Sequence, residues 1–180
     1  MIRTEGNLFV LSTQNTTYCF EKTSSGHLEH LYYGSRIDIN EKNAPALRDK
    51  CAFVPGNSLT YSAGQKNFSL EDKPLEMSGR GKGDLRAPFV GIVHSDGSRT
   101  CDFLFEDAKI IKDQGDDGML PRAYNESGEY EHLVVTLKDS GYDVILELHY
   151  LVFEECDVIT RYSKVINRTK GRIRLNRLMS

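Results

Sequence analysis

His132-Leu133-Val134-Val135-Thr136-Leu137-Lys138-Asp139-Ser140-Gly141-Tyr142-Asp143-Val144-Ile145-Leu146-Glu147-Leu148-His149-Tyr150-Leu151-Val152-Phe153 reads as a β-hairpin. Two apolar stretches, His132–Leu137 and Tyr142–Phe153, flank the turn-forming Lys138-Asp139-Ser140-Gly141. In the second stretch Val144, Leu146, Leu148, Tyr150 and Val152 alternate with Glu147 and His149. That period of two puts the first set on one face of a strand, against a core.

Working outward, the same pattern recurs. Val158–Val165 is a third strand, turning at Asn167–Gly171 into Ile173–Leu178. Upstream, Ala87–His94 and Arg99–Phe105 flank Ser95-Asp96-Gly97-Ser98, and Asp-Gly between apolar runs predicts an antiparallel hairpin. Asn7–Leu11, Thr17–Glu21 and His27–Tyr33 form a further set, with Leu28, His30 and Tyr32 expected on one face. Ser35–Lys73 and Lys109–Gly128 are polar and irregular, the first longer than connections in compact domains usually are. No stretch carries a helical period. Successive antiparallel hairpins whose apolar faces must be covered predict an all-β fold, an antiparallel β-sandwich.

The 180 residues are enough for one domain with a real core, and 39% hydrophobic residues suit a globular chain. A net charge of −3 gives no reason to expect nucleic acid as a partner. No apolar run approaches the length of a membrane span, and Met1–Asn7 lacks the charged-then-apolar order of a signal segment, so the chain reads as soluble and cytoplasmic. Cys19, Cys51, Cys101 and Cys156 are widely spaced with no C-x-x-C, which suggests reduced, mostly buried thiols and no zinc site. The last strand, ending Leu178-Met179-Ser180 without a polar tail, suggests a chain cut from something longer.

Candidate chemistry is sparse. Ser78-Gly79-Arg80-Gly81-Lys82-Gly83-Asp84-Leu85-Arg86-Ala87-Pro88 is the most distinctive run. It is no P-loop, because no Gly-Lys-Ser/Thr occurs, and no dinucleotide fingerprint, because Pro88 and Phe89–Val93 follow as a strand. It reads as a shaped loop, its turn stabilised by an Asp84–Arg86 pair. His27 and His30 would diverge on a strand and hold no metal. Asp116-Asp117 and Glu154-Glu155 read as solvated neighbours with nothing to orient them as a glycosidase pair. Arg161, Lys164, Arg168, Lys170, Arg172, Arg174 and Arg177 make a basic C-terminal hairpin suited to an interface within a larger protein. Tyr32 and Tyr33 put one ring on each face, so at most one is displayed to a sugar.

Taken together, several segments resemble the N-terminal domain of family 36 glycoside hydrolases, the bacterial α-galactosidases of melibiase type. Gly26-His27-Leu28-Glu29-His30-Leu31-Tyr32-Tyr33-Gly34 is similar to the family's G-x-L-x-H-x-Y-[WY]-G hairpin. Asn67-Phe68-Ser69-Leu70-Glu71, followed by Leu75-Glu76, resembles F-S-L-D…x-E. Gly81, Gly83, Asp84, Arg86 and Pro88 match G-x-G-D-[FIL]-R-x-P, and Asp96-Gly97-Ser98 matches a D-G-S turn. Phe153-Glu154, Asp157-Val158-Ile159-Thr160-Arg161 and Leu175–Ser180 resemble Y-E…D-V-I-T-R and L-x-R-x-[LM]-S.

The resemblance implies a supersandwich-like domain, residues 1–180 being a fragment that precedes a catalytic (β/α)₈ barrel. The barrel would carry both catalytic aspartates of a retaining mechanism, so this chain would hold no catalytic residue and no cofactor. Its partners would be that downstream barrel and further copies of itself, since family members include tetramers. In those the long loop reaches a neighbouring subunit's active site, and the matching substrate-binding positions are Asp49 and Lys66, the latter standing where the family has an arginine. The alternatives are a stand-alone carbohydrate-binding module and a structural assembly domain. A barrel-facing apolar surface left bare implies that the isolated chain self-associates.

Overall fold

The computed structural model describes residues 1–48, 59–111 and 130–180. Among these, ten strands follow in order: β1 (Ile2–Glu5), β2 (Leu8–Ser12), β3 (Thr16–Lys22), β4 (Leu28–Ser35), β5 (Val90–Val93), β6 (Phe103–Ile111), β7 (Glu131–Asp139), β8 (Val144–Phe153), β9 (Val158–Asn167) and β10 (Arg174–Leu178). One 3₁₀ turn, Ala44–Ala46, interrupts the segment after β4. All pairings are antiparallel, in sheets ordered β1-β2-β3-β4, β6-β7-β8-β9 and β10-β5.

The hairpin β7–β8 forms in the expected register, with Leu133 opposite Tyr150, Val135 opposite Leu148 and Leu137 opposite Leu146. All six side chains are buried and face the first sheet, sharing one core with Phe9, Leu11, Phe20 and Leu28. Phe20 stacks on Phe9 at 4.8 Å between ring centroids and on Tyr150 at 5.2 Å, so one aromatic column crosses from sheet to sheet. This makes the fold an antiparallel β-sandwich. Truncating Leu146 or Leu148 to alanine there would cost about 2–5 kcal/mol.

The outer face of the first sheet is covered too. Leu8, Val10 and Cys19 pack against Ile39 and Ala44 from the returning segment after β4, which explains why β2 is buried on both faces. Sequence alternation does not reveal β1, because only Ile2 in it is apolar; pairing with β2 forms it.

Two expectations change. Asp96-Gly97 does make a tight turn, with Gly97 N–H donating to the His94 carbonyl and His94 N–H to that of Ser98. Yet β5 pairs with β10, not with the chain beyond the turn, because Cys101 N–H is taken by the Arg80 carbonyl and Asp102 N–H by Asp139, leading β6 into the other sheet. The basic hairpin therefore does not form as expected, since β10 leaves β9 for β5. The second change is a bulge. Cys19 opposes Tyr32 but Phe20 opposes His30, so the face reverses at Leu31. Leu28 and His30 consequently share the inner side with Tyr33, while Tyr32 packs outward with Leu31 on the second cluster.

Candidate functional site

Residues 74–76 run along β4 as an added edge. His30 N–H donates to the Pro74 carbonyl at 2.7 Å, Glu76 N–H donates to that of Leu28 at 2.9 Å, and Glu29 bridges Leu75. Lys73 closes the start of this edge on Glu29 at 3.0 Å. The result carries Glu76 into the gap between the two sheets, where it is 3% exposed. Tyr18 Oη donates to Glu76 Oε1, as do Tyr150 Oη at 2.9 Å and Arg161 Nη1 at 2.6 Å. His30 Nδ1 reaches Oε2 at 3.3 Å, and Arg161 Nη2 donates to the Glu76 carbonyl at 3.1 Å.

Burial by itself would raise the Glu76 pKa. The hydrogen bond from His30, the Arg161 charge and the two tyrosine hydroxyls outweigh it and hold the carboxyl below the usual glutamate value. The same burial, with the Glu76 charge beside it, pushes Tyr18 and Tyr150 up, so both phenols remain protonated donors. Above this hub lies a cavity of about 450 Å³ whose walls include Tyr33, Pro74, Phe89 and Arg86.

The two ends of the glycine segment, Ser78 and then Arg86 with Ala87, line that cavity. Gly81 and Gly83 adopt φ of +98° and +91°, and a Cβ on Gly81 would come 2.6 Å from Thr100 Oγ1. Asp84 is buried and takes Arg86 Nε at 2.8 Å and Nη2 at 3.0 Å, a forked pair. Arg86 Nη2 also donates to the carbonyls of Leu70 at 2.9 Å and Lys73 at 2.8 Å. The expected Asp84–Arg86 pair is therefore present, and it ties the loop to the edge that carries Glu76.

A second buried carboxylate organises the opposite end. Asp102 receives His27 Nε2 at 3.0 Å, Tyr61 Oη at 3.0 Å and Ser140 Oγ at 2.9 Å, with Lys82 Nζ at 3.6 Å. Burial raises its pKa, but these donors, His27 first, bring it below the usual aspartate range. His27 and His30 thus do diverge, to different carboxylates. His94, Cys101 and Asp139 also meet within 4.8 Å. Most of their polar atoms are engaged otherwise: Asp139 accepts the N–H groups of Asp102, Gly141 and Tyr142, and His94 Nε2 lies 3.1 Å from the Thr100 carbonyl, while His94 Nδ1 is buried with no hydrogen-bond partner and burial pushes the Cys101 thiol up to about 11. A protonated thiol and a carboxylate saturated by backbone make a turn-holding cluster and a poor metal-ligand set.

Lys66 is exposed, and Asp49 lies outside the described residues, as do Cys51 and Asp116-Asp117. Glu154 and Glu155 are exposed, Glu154 lying 3.6 Å from the N-terminal ammonium. Of the basic residues, Arg161 alone is drawn onto the Glu76 hub; Arg168, Lys170, Arg172, Arg174 and Arg177 stay exposed. Sequence reasoning missed the Glu76 and Asp102 hubs, since each gathers partners scattered along the chain. The available signal was compositional: apolar Tyr18 and Tyr150 positions on inward faces need an acceptor.

The profile of the glycosyl hydrolase family 36 N-terminal domain matches residues 26–180. The chain is 31% identical over 171 residues to the bifunctional alpha-galactosidase/sucrose kinase AgaSK of Mediterraneibacter gnavus, a match covering 94% of this chain and 18% of that protein. It is 29% identical over 174 residues to alpha-galactosidase AgaA of Geobacillus stearothermophilus, covering 96% and 23% respectively. A crystal structure of an AgaA variant from that organism in complex with raffinose superposes with a TM-score of 0.84 at 27% identity, over 96% of this chain and 24% of the other. The chain spans about a fifth of the length of the curated relatives it matches. No helix among the described residues is long and apolar enough to cross a membrane. By fold and by sequence, the chain belongs to the glycosyl hydrolase family 36 N-terminal domain family.

Proposed function

We propose that this chain is the non-catalytic N-terminal β-sandwich of a cytoplasmic α-galactosidase that hydrolyses terminal α-galactosides such as melibiose and raffinose. Residues 1–180 belong to the sandwich, which later residues continue, and a catalytic (β/α)₈ barrel lies downstream in the same protein. The observation that carries this reading is the family match over residues 26–180, together with relatives named as α-galactosidases of which this chain covers 18–23%. The sandwich supports barrel packing and homo-oligomer assembly, and its long loop offers Asp49 and Lys66 to the sugar in a neighbouring subunit. The exposure of Lys66 agrees with a reach of that kind.

The test is a hydrolysis assay on p-nitrophenyl α-D-galactopyranoside with the longer open reading frame and with the 180-residue chain. Turnover by the longer protein and none by the chain is expected. Turnover by the chain alone, or a reading frame that codes no barrel, would overturn the reading. In the longer enzyme Asp49→Asn and Lys66→Ala should each lower kcat/KM by at least about tenfold, the value of one charge-assisted hydrogen bond. Unchanged kinetics would remove both residues from the sugar site.

A further inference from the structure

The cavity above Glu76 has the makings of a binding site in its own right. It measures about 450 Å³, within the range of small-ligand pockets, and opens beside Tyr33. Tyr33 is 63% exposed, which is unusual for a tyrosine on an inward-facing strand position. The ring is nonetheless braced, lying 5.6 Å from Tyr18, itself held edge-on by His30 at 4.8 Å. An aromatic ring fixed in this way costs a ligand little ordering entropy.

The charges narrow the ligand class. Both guanidiniums at the cavity are already neutralised by buried carboxylates, Arg161 by Glu76 and Arg86 by Asp84. No surplus positive charge remains there to hold a phosphate or carboxylate. Hydrogen-bonding capacity does remain among the described residues. Ser78 Oγ accepts the Phe89 amide and keeps its own proton to give, and Arg86 leaves Nη1 uncommitted. Flat apolar surface from Phe89 and Pro74 stands beside these groups.

We propose that this cavity is an accessory saccharide site that takes one neutral hexopyranosyl residue, with Tyr33 as the stacking platform and Ser78 and Arg86 as partners for its hydroxyls. A pyranose matches because one molecule combines an apolar C–H face with a rim of groups that both donate and accept. A lipid would leave the buried polar groups unpaired, and an anion would find no net charge. The site uses none of the residues offered to a hydrolytic centre, so its failure leaves the galactosidase reading standing, and failure of that reading leaves the site.

The test is a titration of the ¹⁵N-labelled 180-residue chain with methyl α-D-galactopyranoside and, separately, inorganic phosphate, followed by amide shifts. A dissociation constant of about 1 mM is expected for the glycoside, with the largest shifts at His30, Tyr33 and Phe89 and none with phosphate. Tyr33→Ala should weaken binding about tenfold, the scale of one lost ring platform, while Tyr33→Phe retains it; thermal melting confirms that each variant is folded. Absence of shifts up to about 50 mM glycoside, fifty times that constant, overturns the proposal. So do shifts centred elsewhere, a Tyr33→Ala variant that binds unchanged, or phosphate competing at the same amides.

Discussion

Arg161 Nη1 on β9 donates to Glu76 Oε1 at 2.6 Å, a charged pair that joins the edge beside β4 to the second sheet across a sequence distance of 85 residues. Removing one partner strands the other in a buried setting, and such a loss is costlier than the pair's own net contribution. Glu76→Gln should therefore destabilise the fold by about 3–5 kcal/mol, measured by urea unfolding. In a double-mutant cycle with Arg161→Gln the two losses should not add; additive values would show that the pair is not coupled.

Acid stability follows from the two buried carboxylates. Both Glu76 and Asp102 are held below their ordinary values of 4.5 and 3.8 in the folded protein. A depressed folded pKa contributes stability that is present above the unfolded value and is lost as pH falls through the folded one. Unfolding free energy should thus be flat above about pH 5 as far as these two groups are concerned, and drop steadily below it. Glu76→Gln should flatten that acid slope; an unchanged slope would assign the loss to other groups.

Thiol reactivity separates the cysteines. Burial pushes Cys19 up to about 12 and Cys101 up to about 11, and both are sequestered, whereas Cys156 is exposed. In a Cys51→Ser background, a disulfide reagent at pH 8 should modify Cys156 within minutes and reach Cys19 and Cys101 only after denaturant is added. Rapid labelling of Cys101 in the native state would contradict its burial.

The glycines divide by mechanism. A Cβ at Gly79 would press on the Cys101 backbone carbonyl, which cannot rotate away, while at Gly97 it would meet open space and only the positive φ of +87° would cost energy. Gly97→Ala should lower stability by about 1–2 kcal/mol, and Gly79→Ala by clearly more. Equal losses in thermal melts would mean that the 99–101 segment shifts freely.

Leu175, Leu178 and Met179 are exposed, and β10 is a five-residue strand open on both faces. Exposed apolar edge strands invite pairing. Sedimentation of the chain should show concentration-dependent association that Leu175→Lys with Leu178→Lys suppresses. A wild-type chain that stays monomeric at high concentration would count against it.

The sequence by itself determined the fold class and most strand positions, because alternation and turn residues act within one hairpin. Val144, Leu146, Leu148, Tyr150 and Val152 face the core in the structure as their spacing requires. The family was legible for a similar reason, in short motifs such as Gly81, Gly83, Asp84 and Arg86. Tertiary structure alone decided which strand β5 takes as partner, since competing acceptors at Arg80 and Asp139 redirect the chain after an ordinary Asp-Gly turn. It alone decided that Tyr33 faces the cavity, because one bulged residue at Leu31 reverses every face that follows and alternation cannot register it. The Glu76 hub is of the same kind: its donors lie 46 to 85 residues away. Local periodicity reports which way a side chain points, whereas the partner it meets is fixed by the packing of one sheet on the other.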